Sequence, residues 1–223
     1  MNENEVPINY WRSMNDEIDN VLQDLRGIVL VLHDSMEFTQ CLDFYNKIKS
    51  NHFTNILYIS LTRSYDYMRH ALEQKPFNQK RILFIDCVSG FAFPAEENID
   101  VCFYHKPPRD IHSMEDIIRF GIEKTNPDII IIDSLTQFIN FSRPTEQEVN
   151  EFYSFLQDIR KQMLNLVNNT FILLFDTRMG VIHHLPTKDI DIILKMEANT
   201  SSINDRIKRN MINQTIPISP ISI

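Results

Sequence analysis

The chain has 223 residues, 43% of them hydrophobic and 23% charged, and its formal net charge is −8. This length fits one α/β domain with an adequate core. The acidic balance disfavours nucleic acid or an anionic membrane as a partner, because both are bound through clustered Lys and Arg. No apolar stretch approaches the ~20 residues of a membrane-spanning helix, so we expect no membrane association.

The three cysteines suggest a reducing compartment. Cys41, Cys87 and Cys102 form no CxxC pair, so we expect buried, reduced thiols. The N-terminal stretch MNENEVPINYW is polar and acidic, unlike a signal peptide. Both observations predict a cytoplasmic protein.

The chain alternates between apolar runs and amphipathic segments. Apolar residues at helical spacing predict a helix over 8–26, which Gly27 ends. Strands are then predicted at 27–32, 55–61, 81–88, 100–105, 128–135, 170–176 and 189–196, and helices at 37–50, 64–74, 113–125 and 144–168. Unbroken Val/Ile/Leu strands alternating with helices indicate a parallel sheet buried on both faces.

The predicted organisation is therefore one doubly wound, three-layer α/β domain at 27–196. An N-terminal amphipathic helix at 1–26 precedes it. A C-terminal appendage at 197–223, either edge strands or a loose tail, follows it. Two prolines exclude that appendage from the middle of a sheet.

Three aspartates end predicted strands. Asp86, Asp133 and Asp176 follow the runs RILFI, DIIII and FILLF. Ligands of parallel α/β sheets gather at the carboxyl ends of the strands, and Asp133 has the position of an aspartate that orders nucleotide-bound magnesium. The alternative, and the commoner role of a single such aspartate, is to cap or fix the following loop.

The order of these segments carries a resemblance. GIVLVL with its turn and helix, NILYISLTRSYDYMRHALEQ, DIIIIDSLTQFIN, a long helix, TFILLFD and DIDIILKM together resemble the KaiC branch of the RecA-like ATPases, particularly short, divergent archaeal-type members. The resemblance covers roughly residues 25–196. It implies a three-layer RecA-like fold of the P-loop NTPase type with a mainly parallel sheet, and it identifies Asp133 and Ser134 as the Walker B-like segment.

The catalytic parts of that family do not match. Its members carry acidic residues after the second strand, where a glutamate activates water, but Thr62 and Arg63 stand there in this chain. The phosphate loop G-x-x-x-x-G-K-[ST] should follow GIVLVL. Its four fixed positions become His33, Phe38, Thr39 and Gln40.

The phosphate-loop position is thus degenerate. Its glycines would let backbone N–H groups wrap the phosphates, and its lysine would neutralise them. Carboxylates stand there instead, and each would repel a phosphate by about 1–4 kcal/mol at ~4 Å. The segment comprises His33, Asp34, Ser35, Met36, Glu37, Phe38, Thr39 and Gln40.

Three functional hypotheses remain open. The first is a catalytically inactive RecA/KaiC-like domain that acts as a regulatory or protein-binding module, without catalytic residues, metal or cofactor. The second is an ATPase-like protein that binds ATP and magnesium in a non-standard way through Asp86, Asp133 and Asp176. The third is self-association through the helix at 8–26 or the segment IPISPISI at 216–223.

Overall fold

The computed structural model describes residues 25–34, 36, 38–47, 55–74, 81–92, 98–162, 170–180 and 185–196. The predicted helix at 8–26 and the appendage at 197–223 lie outside the described residues. Seven strands occur in the described part: β1 (Gly27–His33), β2 (Asn55–Ser60), β3 (Arg81–Asp86), β4 (Cys102–Tyr104), β5 (Ile129–Asp133), β6 (Thr170–Asp176) and β7 (Ile192–Met196).

These strands form one sheet in the order β4-β3-β2-β5-β6-β1-β7, and every neighbouring pair is parallel. All strand carboxyl ends therefore lie along one edge, as the sequence predicts for a sheet built from βαβ crossovers. The described helices are α1 (Phe38–Lys47), α2 (Tyr65–Gln74), α3 (Ser89–Ala92), α4 (Ile111–Thr125), α5 (Leu135–Ser142) and α6 (Glu146–Gln162).

Apolar clusters cover the sheet on both faces. In β1, Ile28 and Leu30 belong to the cluster that includes residues of α4, α5 and α6, whereas Val29 and Val31 belong to the cluster that includes α1 and α2. Every residue of β1 is buried because consecutive side chains point into opposite layers. The predicted three-layer α/β fold is confirmed.

Two strands end two residues earlier than predicted, the strand predicted over 189–196 begins only at Ile192, and two helices, α3 and α5, were not predicted. The strand expected over 128–135 ends at Asp133, and α5 begins directly after it. Ser134, joined to Asp133 by a cis peptide bond, caps α5, and its hydroxyl accepts the Gln137 N–H at 3.2 Å. The strand expected over 81–88 ends at Asp86, because that side chain accepts the N–H groups of the next turn.

Candidate functional site

Buried polar residues end five strands of the sheet. These are His33 on β1, Ser60 on β2, Asp86 on β3, Asp133 on β5 and Asp176 on β6, all at most 8% exposed. Ser60 is in register with both Asp86 and Asp133, and His33 is in register with Asp176. The three aspartates therefore lie at one edge of the sheet, where the sequence analysis places them.

Arg63 links the Walker B-like aspartate to the phosphate-loop position. Its Nη1 donates to Oδ2 of Asp133 in an ion pair, and its Nη2 donates to the carbonyl oxygen of Met36. The Tyr58 hydroxyl donates to the same Oδ2, and the Thr62 hydroxyl donates to Oδ1 at 3.1 Å. Both carboxylate oxygens of Asp133 are thus engaged by donors from the protein itself.

The Arg63–Asp133 pair is largely shielded from water. The side chains of Arg63 and Asp133 are 17% and 2% exposed, respectively. Burial by itself lowers the pKa of Arg63, but the carboxylate of Asp133 outweighs it, so the net pKa is raised. The guanidinium therefore keeps its charge and serves as the resident counter-ion of Asp133. Leaving either charge buried without the other would be unfavourable.

The backbone of the phosphate-loop position is engaged by its own residues. The Met36 N–H donates to Nδ1 of His33 at 3.1 Å. That nitrogen therefore has no proton, and the neutral ring carries its proton on Nε2. Burial lowers the pKa of His33, against the opposing effect of the Asp176 and Asp133 carboxylates. In a phosphate loop this N–H could face a phosphate, but here the Met36 N–H is bound by the ring of His33.

Asp34 is paired with an arginine from the turn after β6. Nε of Arg178 contacts Oδ1 of Asp34, and Nη2 donates to Oδ2 at 2.9 Å. The Asp34 and Arg178 side chains are 42% and 64% exposed. The repulsion expected from Asp34 is thus partly neutralised at short range. Ser35 and Glu37, the other polar residues between His33 and Phe38, lie outside the described residues.

The last three positions of the degenerate segment open α1. Phe38, the second glycine position of a phosphate loop, is fully buried and meets the Tyr58 ring edge-on with centroids 5.5 Å apart. Thr39, at the lysine position, and Gln40 are half-buried. A bulky ring anchored in the core replaces the glycine, so the chain cannot approach a phosphate there as closely as glycine allows.

The other two aspartates fix loops. Asp86 accepts the N–H groups of Tyr65, Val88 and Ser89 at 2.7–2.8 Å and the Ser89 hydroxyl at 2.7 Å. Asp176 accepts the Arg178 N–H at 2.9 Å. For Asp86 the contacts match the loop-fixing alternative raised by the sequence.

The described residues fit a magnesium–nucleotide complex poorly. The carboxylate of Asp133 already binds Tyr58, Thr62 and Arg63. Within the described ranges, no group of three or more His, Cys, Asp or Glu side chains is arranged to hold a metal ion. A phosphate at this edge would meet no lysine from positions 33–40, because the sequence has none there.

Thr62 and Arg63 were expected only as replacements for catalytic acids, and their contacts with Asp133 were not predicted. The contact of Tyr58 was not predicted either: its hydroxyl donates to Asp133 from the third-last position of β2. The signal that was available is charge: an arginine follows β2, and an aspartate ends the neighbouring β5. A charged side chain that is buried at a sheet edge needs an oppositely charged side chain nearby.

None of the helices in the described ranges combines the length and the hydropathy required to cross a membrane.

Comparison with solved structures supports the fold. The chain is similar to the flagellar accessory protein FlaH from Methanocaldococcus jannaschii, with a TM-score of 0.54 and 12% identity over 86% of this chain and 81% of that one. It is also similar to the KaiC-like protein PH0186 from Pyrococcus horikoshii, with a TM-score of 0.49 and 10% identity over 78% and 79%. No family model and no curated protein matches the sequence. The similarity to FlaH is one of fold, and it agrees with the predicted three-layer RecA-like fold.

Proposed function

We propose that this chain is a non-hydrolysing RecA/KaiC-like domain that acts by binding another protein, as a regulatory or protein-binding module. It works without nucleotide or metal at the strand ends. Its three cysteines are buried thiols, which is consistent with work in the cytoplasm.

The observation that carries the proposal is the position of Arg63. Its guanidinium binds the carboxylate of Asp133 and the Met36 carbonyl, two groups that belong to the magnesium and phosphate-loop positions of the resemblance. A magnesium ion bound through Asp133 would have to displace the arginine and leave its charge buried without a partner. That exchange is unfavourable in a shielded site.

The alternative, nucleotide binding by the three strand-end aspartates, has less support. Asp86 already accepts four hydrogen bonds from the loops it fixes, and Asp133 is paired with Arg63. A cation that bound them would have to break these contacts.

Calorimetry and an ATPase assay test the proposal. We expect no saturable heat when ATP or ADP with magnesium is titrated into the full chain, and phosphate release no faster than in buffer. The matched variants are Asp133→Asn, which keeps the side-chain shape, and Asp158→Asn, an exposed control on α6. ATP turnover that Asp133→Asn abolishes and Asp158→Asn leaves unchanged would refute the proposal. Magnesium-dependent binding lost in Asp133→Asn alone would establish the alternative.

A further inference from the structure

A cavity of about 300 Å³ opens between α5 and the turn after β6. We call it the α5 groove. Thr136, Ile139 and Asn140 line it from one face of α5, at the i, i+3, i+4 spacing of neighbouring side chains on a helix. The other lining residues are Phe175, Thr177, Arg178, Met179, Gly180 and Leu185. The groove is large enough for one or two bulky side chains and is mainly apolar.

The two most exposed large apolar side chains among the described residues belong to this region. Phe141 is 69% exposed and directly follows Asn140, and Met179 is 56% exposed and lines the groove. The Nδ2 of Asn140 donates to the Met179 carbonyl at 3.0 Å, so the helix and the turn hold a fixed spacing. Exposed apolar side chains beside a preformed cavity are typical of a protein-binding site.

Charge indicates the partner. The chain has 30 acidic and 22 basic residues, yet none of the groove-lining residues is acidic. Arg178 lines the groove but is paired with Asp34. Arg143, the exposed C-cap residue of α5, binds the Ile139 carbonyl through its N–H at 2.9 Å. Its guanidinium forms no ion pair with any residue in the described ranges. Arg143 follows Ile139 by four residues and Asn140 by three, so it ends the face of α5 that lines the groove, and the charge at that end of the groove is positive.

We infer that the α5 groove binds a short segment of another protein, which inserts one large apolar side chain and places a carboxylate against Arg143. This inference rests on the proposed binding function and names the surface and the chemistry of the partner. The apolar side chain supplies affinity by leaving water, whereas the charge pair at the rim selects acidic over basic segments.

Peptide binding to the full chain tests the inference. The probes are fluorescent nine-residue peptides with one central phenylalanine or leucine, flanked by either two aspartates or two lysines. We expect aspartate-flanked peptides to bind about fivefold more tightly than lysine-flanked ones. We expect Met179→Asp to weaken binding about tenfold or more. Arg143→Glu should abolish or reverse the charge preference. Val101→Asp, at an exposed apolar residue far along the chain, is the matched control and should change neither.

Each other outcome overturns the inference. Absence of saturable binding, or binding that Met179→Asp and Arg143→Glu leave unchanged, removes the groove as the site. Tighter binding of a peptide copied from residues 215–223 would assign the groove to the chain's own segment. A mass doubled in light scattering, and restored to the monomer by Met179→Asp, would assign it to a second copy. None of these results bears on ATP turnover, so the inference and the proposed function can fail separately.

Discussion

Arg63 and Asp133 form an ion pair that joins the loop after β2 to the end of β5, and the same guanidinium reaches the Met36 carbonyl beyond β1. Three loops at the strand ends are therefore held by one side chain. In the family that the chain resembles, an acidic residue near this position works on a water molecule beside the nucleotide. In this chain Arg63 stands near that position and places a positive charge against Asp133.

The first prediction concerns the removal of this pair. Arg63→Met should lower the free energy of unfolding by about 3 kcal/mol, because it leaves the buried carboxylate of Asp133 without its counter-charge. The double variant Arg63→Met/Asp133→Asn should recover much of the loss, since neither charge is then present. Urea unfolding of the four proteins in this mutant cycle measures the coupling.

The control for that cycle is an exposed pair. Lys161 and Asp158 on α6 lie 3.0 Å apart, and their side chains are 67% and 64% exposed. Lys161→Met should cost no more than about 0.5 kcal/mol, because water screens such pairs. A loss in Arg63→Met as small as that of Lys161→Met would contradict the role assigned to the buried pair.

The second prediction concerns Asp86 as a structural residue. Asp86→Ala leaves three backbone N–H groups and the Ser89 hydroxyl without their acceptor at a fully buried position. We expect a loss of about 3 kcal/mol in the free energy of unfolding. Asp158→Ala, at an exposed carboxylate, should stay within about 0.5 kcal/mol. Equal effects of both variants in urea unfolding would show that Asp86 does not fix these loops.

The sequence predicted the sheet well because its evidence is local. Unbroken runs such as IIII in β5 can be buried on both faces only in a parallel sheet covered by helices, and all seven predicted strands are present. Helix α5 was missed because its apolar residues directly continue the run of β5. The cue that separates the two elements is the single polar pair Asp133–Ser134, in which Ser134 starts the helix.

The site was predicted only in outline. That Asp86, Asp133 and Asp176 share an edge follows from strand direction alone. The partners of each carboxylate depend instead on side chains from different strands. Arg63 and Asp133 are 70 residues apart in the chain, and no periodicity brings them together. Likewise, a histidine at the start of a turn does not reveal that its ring accepts an N–H three residues later.

The third prediction follows from the lowered pKa of His33, which burial causes. In the unfolded chain the histidine has its ordinary pKa of 6.5. Below that pH the unfolded state therefore binds a proton that the folded state, with its lower pKa, does not yet bind. Stability should therefore fall as the pH drops through 6.5 toward the folded pKa, by at most about 1.4 kcal/mol per pH unit. This contribution is fully present above pH 6.5.

Urea unfolding of the wild type and His33→Asn at about pH 7.5 and about pH 5.5 isolates the effect. Subtracting the two proteins cancels the other titrating groups, and the advantage of the wild type should be smaller at the lower pH. His112→Asn, at a side chain that is 91% exposed, is the control for replacing a histidine by asparagine at the surface. A wild-type advantage that grows on acidification would mean that folded His33 binds its proton more tightly than the unfolded chain.

The fourth prediction concerns Gly121, where α4 approaches the sheet. A Cβ on this residue would lie 2.5 Å and 2.7 Å from the Leu57 methyl carbons and 3.0 Å from Cδ1 of Ile85. In an exposed helix, replacing glycine by alanine stabilises by about 1 kcal/mol. Here overpacking against two buried strands should outweigh that gain, because it costs about 1–3 kcal/mol. We expect Gly121→Ala to lower the midpoint of urea unfolding.

The control for Gly121→Ala is Asp116→Ala, at an exposed position of the same helix, which should leave the midpoint unchanged or raise it. If Gly121→Ala raised the midpoint as well, α4 would not pack against β2 and β3 as closely as the structure describes.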